Sequence, residues 1–503
     1  MIARWRILLV LLATAGAAYA QEMHDHDHGV PEKLGTVSFP ISCSPAVQQP
    51  FNRAVALLHS FAFTAAQKAF KDIAAKDPKC AMAHWGVAMT DFHPVWQPPL
   101  PPATFTDGQK AAQEAAQEAA RLQPASGIER DYIHALAQLY RVDPKLTTAQ
   151  RTLAYEQAMA SVAHDHPSDV EAQVFYAVAL LANASPTDKT HTRQKHAVAI
   201  LDPLYKMHPD HPGIAHILIH ACDSAELAQQ GLDAARKYAG IAPSAAHALH
   251  MPSHIFTRLG LWEDSITSNI ASEKAASAQG DLMGELHAMD YLVYAYVQTG
   301  RDKEARQVIA RMKALPRLDM TDFAIAYAST AMPVRVSVDE ARWEDAVAIT
   351  PPMGAPESVV AIAVWAKGIG LARSGHADEA RKQGARLQAI EARLRVAGDM
   401  YWADQTGILA TEVMAWVAQA SRNPAGAVAL LSDAAEREDR IEKRPVTPGP
   451  IVPAREQLGE LFLVQNKPGP ALAAFQDALK QAPGRAGALR GAAKATAAAT
   501  AGL

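Results

Sequence analysis

Phased histidines are the residues of this sequence best placed to do chemistry, because a neutral imidazole nitrogen is a ready ligand for transition metals. After Pro209 come His216 at +7 and His220 at +11, and after Pro243 come His250 at +7 and His254 at +11. Residues four apart share a helix face. Two such pairs on neighbouring helices would direct four imidazoles into one groove. His247, at +4 after Pro243, and Asp223, at +14 after Pro209, continue that face. In the next unit Leu259-Gly260 recurs as Thr299-Gly300, a shift of 40. That shift carries His247 to His287, His250 to Asp290 and His254 to Tyr294. The expected metal ligands are therefore His216, His220, His247, His250, His254, His287 and Asp290. Asp223, Arg258 and Tyr294 are expected to orient ligands or meet a substrate, and His59 and His93, 34 apart, to approach from the opposite wall.

Imidazole and carboxylate ligands suit zinc, copper(II), iron or manganese. With no CxxC or methionine cluster in phase, copper(I) and iron–sulfur centres are disfavoured. An open coordination position would support hydrolase or oxidoreductase chemistry on a small-molecule substrate. Among these, a copper or iron oxidoreductase is preferred. Two alternatives stand beside it: a metal carrier with a closed site, and a scaffold whose groove grips a protein or peptide partner. Nineteen of the 20 histidines lie at or before position 287. Those at His164, His166, His208 and His211 read as helix-end residues, and His84, His134, His191 and His196 as structural. The tract His24 to His28 reads as a loose metal-capture segment or a solvated tail.

The elements that must hold these residues are repeats. Counting back from Pro483, Ala478, Phe475 and Ala471 lie at offsets 5, 8 and 12, with Gly459 at 24. Ile73, Phe70 and Ala66 precede Pro78, and Tyr238, Ala235 and Gly231 precede Pro243, at offsets 5, 8 and 12. Small residues at these places let paired helices approach closely, and the ring fills the groove between them. Pro209 to Pro243 is 34 residues, the period of a tetratricopeptide helical hairpin. The expected fold is an all-α, tetratricopeptide-like α-solenoid of nine or ten helix pairs. Irregular stretches are expected at 21–49, His93 to Asp107, Pro351 to Pro356 and Arg444 to Pro453. The strings HPGIAHILIHACD, HALHMPSHIFTRLGLWEDSI and ELHAMDYLVYAY, with SCSPAVQQPFNRAVALLHSF and CAMAHWGVAM upstream, resemble a group of exported bacterial tetratricopeptide repeat (TPR)-type proteins. The resemblance covers roughly residues 35–300 and 450–490 and implies the fold and export.

Arg4 and Arg6, the apolar run from Ile7 and Ala18-Tyr19-Ala20 form a signal peptide pattern, so a periplasmic or secreted product is expected. The domain reading is 1–20 signal peptide, 21–49 an irregular His-containing segment, 50–335 a TPR-like array with the His-rich groove, and 340–503 a plainer array. In an oxidising compartment Cys43–Cys80 is the preferred disulfide, leaving Cys222 as a buried thiol. Lys+Arg of 48 against Asp+Glu of 52 leaves no basic footprint for nucleic acid. No second apolar run reaches membrane-spanning length, so no membrane association is expected after cleavage.

Overall fold

The computed structural model describes residues 32–93, 102–121, 126–141, 143 and 145–501. The leader and the His24 to His28 tract lie outside them. The described residues are helical with no strand and form eleven helical hairpins and a closing helix, one pair beyond the expected range. Each helix packs on the next, and first helices of successive hairpins stack on one another, giving a TPR-like α-solenoid. Lys33–Leu503 forms one compact unit, and the stack runs through Phe323–Asp339 into Glu357–Arg373 without a gap. In place of the irregular stretch expected up to Asp107, a helix begins at Pro102.

Local chemistry explains the hairpins. The Asp169 side chain caps Val170–Ala182 by accepting from the Ala172 amide, and Thr147 and Gln150 cap Thr148–Asp165 reciprocally. Gly260 and Gly280 end their helices in the left-handed conformation, where a side chain would be strained. The offset pattern is a packing rule. Phe70 seats so close to Gly86 that a Cβ there would lie 2.2 Å from the ring, and Phe475 crowds Gly459 to 2.7 Å in the same manner.

The solenoid curls until distant elements meet. Gln48–His59 packs against Pro212–Ala221, where a Cβ on Gly213 would lie 2.6 Å from the His59 ring. Leu282–Gln298 packs against the terminal helix Ala486–Ala501. The extended stretch 33–44 staples the first hairpins. Its Thr36 amide donates to the Asp210 carbonyl (2.9 Å), and Phe39 sits among Phe51, Trp85 and Tyr132. Cys43 and Cys80 form a disulfide, and Cys222 is a buried thiol that burial pushes up to about 12.

A second irregular stretch, 440–453, folds back over the helices that carry the histidines. Glu442 donates its amide to the Pro186 carbonyl (2.7 Å), Lys443 reaches Asp223 (2.8 Å), and the Pro445 and Thr447 carbonyls accept from the Tyr291 hydroxyl (3.2 and 3.3 Å). Arg335, fully buried, donates to the Thr447 hydroxyl (3.1 Å) and the Gly449 carbonyl (3.3 Å). Two cations, one tyrosine hydroxyl and one backbone amide thus hold a chain segment that has no helix of its own.

Candidate metal centre

Three helical segments bring the histidines together. His216 and His220 project from Pro212–Ala221; His247, His250 and His254 from Ala246–His250 and Pro252–Leu259; and His287 from Leu282–Gln298. Pro252 opens its helix at the first position, where its missing N–H is tolerated, and Met251 keeps helical dihedrals. His247, His250 and His254 therefore still line one face.

The six imidazoles form two groups of three. His216, His220 and His247 offer ring nitrogens within 4.8 Å of one another, and His250, His254 and His287 do the same. The expected cage of His216, His220, His250 and His254 is thus divided between the groups. The groups adjoin, because the His220 and His254 rings are 5.9 Å apart and His247 and His250 6.1 Å.

Hydrogen bonds fix the tautomers of the second group. Asn269 Nδ2 donates to the Ser265 carbonyl (2.8 Å), so its Oδ1 faces His250 Nδ1 (2.7 Å) and requires an N–H there. His254 Nδ1 likewise donates to the Asp223 carboxylate (2.9 Å). Both Nε2 atoms then carry lone pairs, and they face each other at 3.0 Å. Two ligands on a tetrahedral zinc ion, with Zn–N about 2.0–2.1 Å, would lie about 3.3 Å apart. A proton on His254 is the alternative bridge. It would add a third cation to Asp223, which already holds Arg258 Nε (2.8 Å) and Lys443 Nζ (2.8 Å).

In the first group His216 Nδ1 donates to the His59 carbonyl (2.5 Å), leaving Nε2 to face His247 Nε2 at 3.2 Å. His220 is buried with neither ring nitrogen partnered among the described residues. An unsatisfied buried imidazole is costly unless something else occupies it. Phe61 caps this group, its ring 4.4 Å from His216 and 5.4 Å from His247, and its backbone is held at φ 53°, a strained region for a residue with a Cβ.

Burial, reinforced by the neighbouring imidazoles, drives His216, His220, His247, His250 and His287 well below the ordinary imidazole range. It lowers His254 as well, against the pull of Asp223. Burial raises the Asp223 carboxyl, but Lys443 and Arg258 outweigh it and hold the group well below its usual value. Neutral imidazoles beside a permanently ionised carboxylate are the state in which such side chains ligate and orient.

The other expected residues lie elsewhere. Asp290 bonds the buried Arg335 (2.9 Å) rather than joining a histidine group, so it anchors the 440–453 segment instead. Tyr294 lies between Arg335 and Arg485, whose guanidinium carbons are 5.1 and 5.8 Å from its ring centre. Arg258 sits one shell out, on Asp223 and Glu442 (3.3 Å). His93 stacks on Phe63 (4.3 Å) outside both groups. His59 gives the centre only its carbonyl, because its ring pairs with Glu171 (2.7 Å).

That last pair belongs to a third grouping, His59, Glu171 and His211. Here every nitrogen facing the carboxylate is a donor. Each Nε2 donates to a different Glu171 oxygen, at 2.7 and 2.8 Å, and His211 Nδ1 accepts from the Ile214 amide. Burial raises Glu171, but the two imidazoles prevail and bring it to about 2. The grouping is a satisfied structural network.

Several participants carried little sequence signal. Tyr291, whose hydroxyl lies 3.4 Å from both His254 nitrogens and whose ring is 4.7 Å from His250, is four residues after His287, so helix spacing could have found it. Asn269 lies on the partner helix, and Glu442 and Lys443 meet Arg258 and Asp223 from 184 and 220 residues away. A cavity of about 110 Å³ reaches His220, lined also by His191, Gln194, Asp223, Lys443 and Pro445.

No family model and no curated protein matches the chain. Among solved structures it is similar to yeast Tom70 at 11% identity, with a TM-score of 0.41, covering 90% of this chain and 88% of that one. It is also similar to the human IFIT1 dimer with m7Gppp-AAAA at 13% identity, with a TM-score of 0.35, covering 85% and 88%. These likenesses concern the helical fold alone.

Proposed function

We propose that this chain is an exported helical-repeat metalloprotein that holds two transition-metal ions, one in each group of three histidines. The observation that carries the reading is the His250–His254 pair, two tautomer-locked imidazoles with lone pairs opposed at 3.0 Å. The doubly unpartnered His220 extends it to the first group. Three imidazoles leave a coordination position free, and a bound zinc, copper or iron ion would supply Lewis-acid or redox chemistry there. The chain's own contribution is orientation. Asp223, Asn269 and the His59 carbonyl aim the rings, and Phe61 and Tyr291 shield them. An oxidoreductase is preferred to a hydrolase or a carrier, since imidazole-only ligation in an aromatic enclosure suits copper and iron. A peptide-gripping scaffold is less favoured on this face, because residues 440–453 already lie across it.

Zinc titration of untagged, chelator-stripped protein tests the reading. Two equivalents should bind tightly. His220→Ala should remove one, His254→Ala the other, and the double variant should bind none. Wild-type stoichiometry in the double variant, with the helical spectrum retained, would overturn the assignment.

A further inference from the structure

A second cavity of about 160 Å³, room for on the order of ten waters, lies mainly among the C-terminal hairpins and reaches Lys189, Arg258 and Lys443 at its border. It is lined along the helix Met400–Ala420 by Tyr401, Trp402, Gln405, Leu409 and Glu412. Ten residues of helix separate Trp402 from Glu412, a run of about 15 Å. The cavity is therefore elongated, with chemically different ends.

One end is acidic. Glu412 is 1% exposed and accepts from the Trp365 indole N–H (2.6 Å). Glu438, from the partner helix Pro424–Asp439, accepts from the Ala454 amide (2.8 Å). Neither carboxyl forms an ion pair among the described residues. Both line the cavity beside the indole of Trp365. Carboxyls placed together away from water are unfavourable unless a proton or a cation joins them. The other end presents a donor. Trp402 is 7% exposed, and its indole N–H has no acceptor among the described residues. Its ring packs with Phe323 (5.3 Å) and Tyr327 (5.9 Å), so the indole is held in place. Ile362, Tyr327 and Leu409 give the wall its apolar and aromatic part, and the cations that also line it, Lys189, Arg258, Lys443 and Arg455, are each paired with a carboxylate of Glu442, Asp223 or Asp439.

We infer that this cavity binds an elongated organic amine, its ammonium at Glu412 and Glu438, its apolar body along the aromatic wall, and an oxygen acceptor toward Trp402. Aromatic faces attract an organic cation, and the carboxyls supply the charge-assisted hydrogen bonds. No histidine lines this cavity, but Arg258 and Lys443 border both it and Asp223, so the inference is tested on metal-stripped full-length protein.

The probes are 8-aminooctan-1-ol, octylamine, octane-1,8-diol and octanoic acid, followed by calorimetry and by the fluorescence of the indoles in the wall. The amino alcohol should bind at least tenfold more tightly than the diol and the acid. Glu412→Gln should reduce that preference for the amine below threefold while the diol binds as before. Trp402→Phe should weaken the amino alcohol several-fold and leave octylamine unchanged, which separates the hydrogen bond from a packing effect. Equal binding of diol and amine by the wild type, preference for the acid, or an amine preference that survives Glu412→Gln would each overturn the inference. Unfolding curves of both variants confirm that the cavity is intact.

Discussion

At the scale of single residues, the site is decided by which ring nitrogen carries the proton. Asn269 holds His250 in the tautomer that frees Nε2, through one hydrogen bond of 2.7 Å. Asn269→Ala should therefore weaken metal binding at the second group about 10–100-fold, the usual cost of losing an outer-shell orienting partner. The first group should be untouched, which site-resolved titration would show. Asp223 has a second duty, because it faces both Lys443 and Arg258 in a buried setting. Asp223→Asn leaves those cations short of counter-charge and should cost about 3–5 kcal/mol in urea unfolding, even without metal. Six of the seven residues expected to ligate gather in two groups, and their meeting was legible because repeat phase and the four-residue helix step both act on neighbouring residues. Asp290 was misplaced because the 40-residue shift assumes matching helices. Pro252 interrupts one helix while Leu282–Gln298 runs unbroken, so the face slips and Tyr291, not Asp290, meets the imidazoles.

At the scale of elements, small residues set how closely the hairpins approach. Gly86→Ala would drive a Cβ to 2.2 Å from the Phe70 ring. Overpacking of that kind should destabilise the protein by about 1–3 kcal/mol, readable as a lower urea midpoint with an unchanged slope. The offset that revealed Phe70 and Phe475 in the sequence is thus the same feature that fixes the interhelical distance. The Cys43–Cys80 bridge closes a separation of 37 residues and ties the extended stretch 33–44 to the second hairpin. Its reduction should cost about 2–4 kcal/mol, seen as a lower melting temperature in reductant. What remained illegible at this scale was the 440–453 segment. Its Pro and Gly content marked a loop, but nothing local says that Lys443 ends against Asp223, some 220 positions earlier.

At the scale of the whole molecule, the curl of the solenoid completes the site. The first hairpin supplies the His59 carbonyl and Phe61, and the C-terminal half supplies Lys443 and the carbonyls that engage Tyr291. Docking of distant parts also buries carboxyls, and this gives stability a pH dependence. Burial raises Glu438 from its ordinary value to about 7. A group raised in the folded state contributes stability that is full below about pH 4.5 and lost as pH rises through about 7. Wild-type melting temperature should therefore fall, between pH 5 and 8, relative to Glu438→Gln, which keeps an acceptor for the Ala454 amide. Parallel profiles for the two proteins would show that Glu438 is not the cause. Crystals of the untagged protein, with diffraction recorded above and below the absorption edge of the bound metal, would place the ions. Two anomalous peaks are expected, one among His216, His220 and His247 and one among His250, His254 and His287, each about 2.0–2.1 Å from imidazole nitrogens. Metal-soaked crystals with no peak at either group, while His250 and His254 keep their opposed rings, would contradict the metal centre.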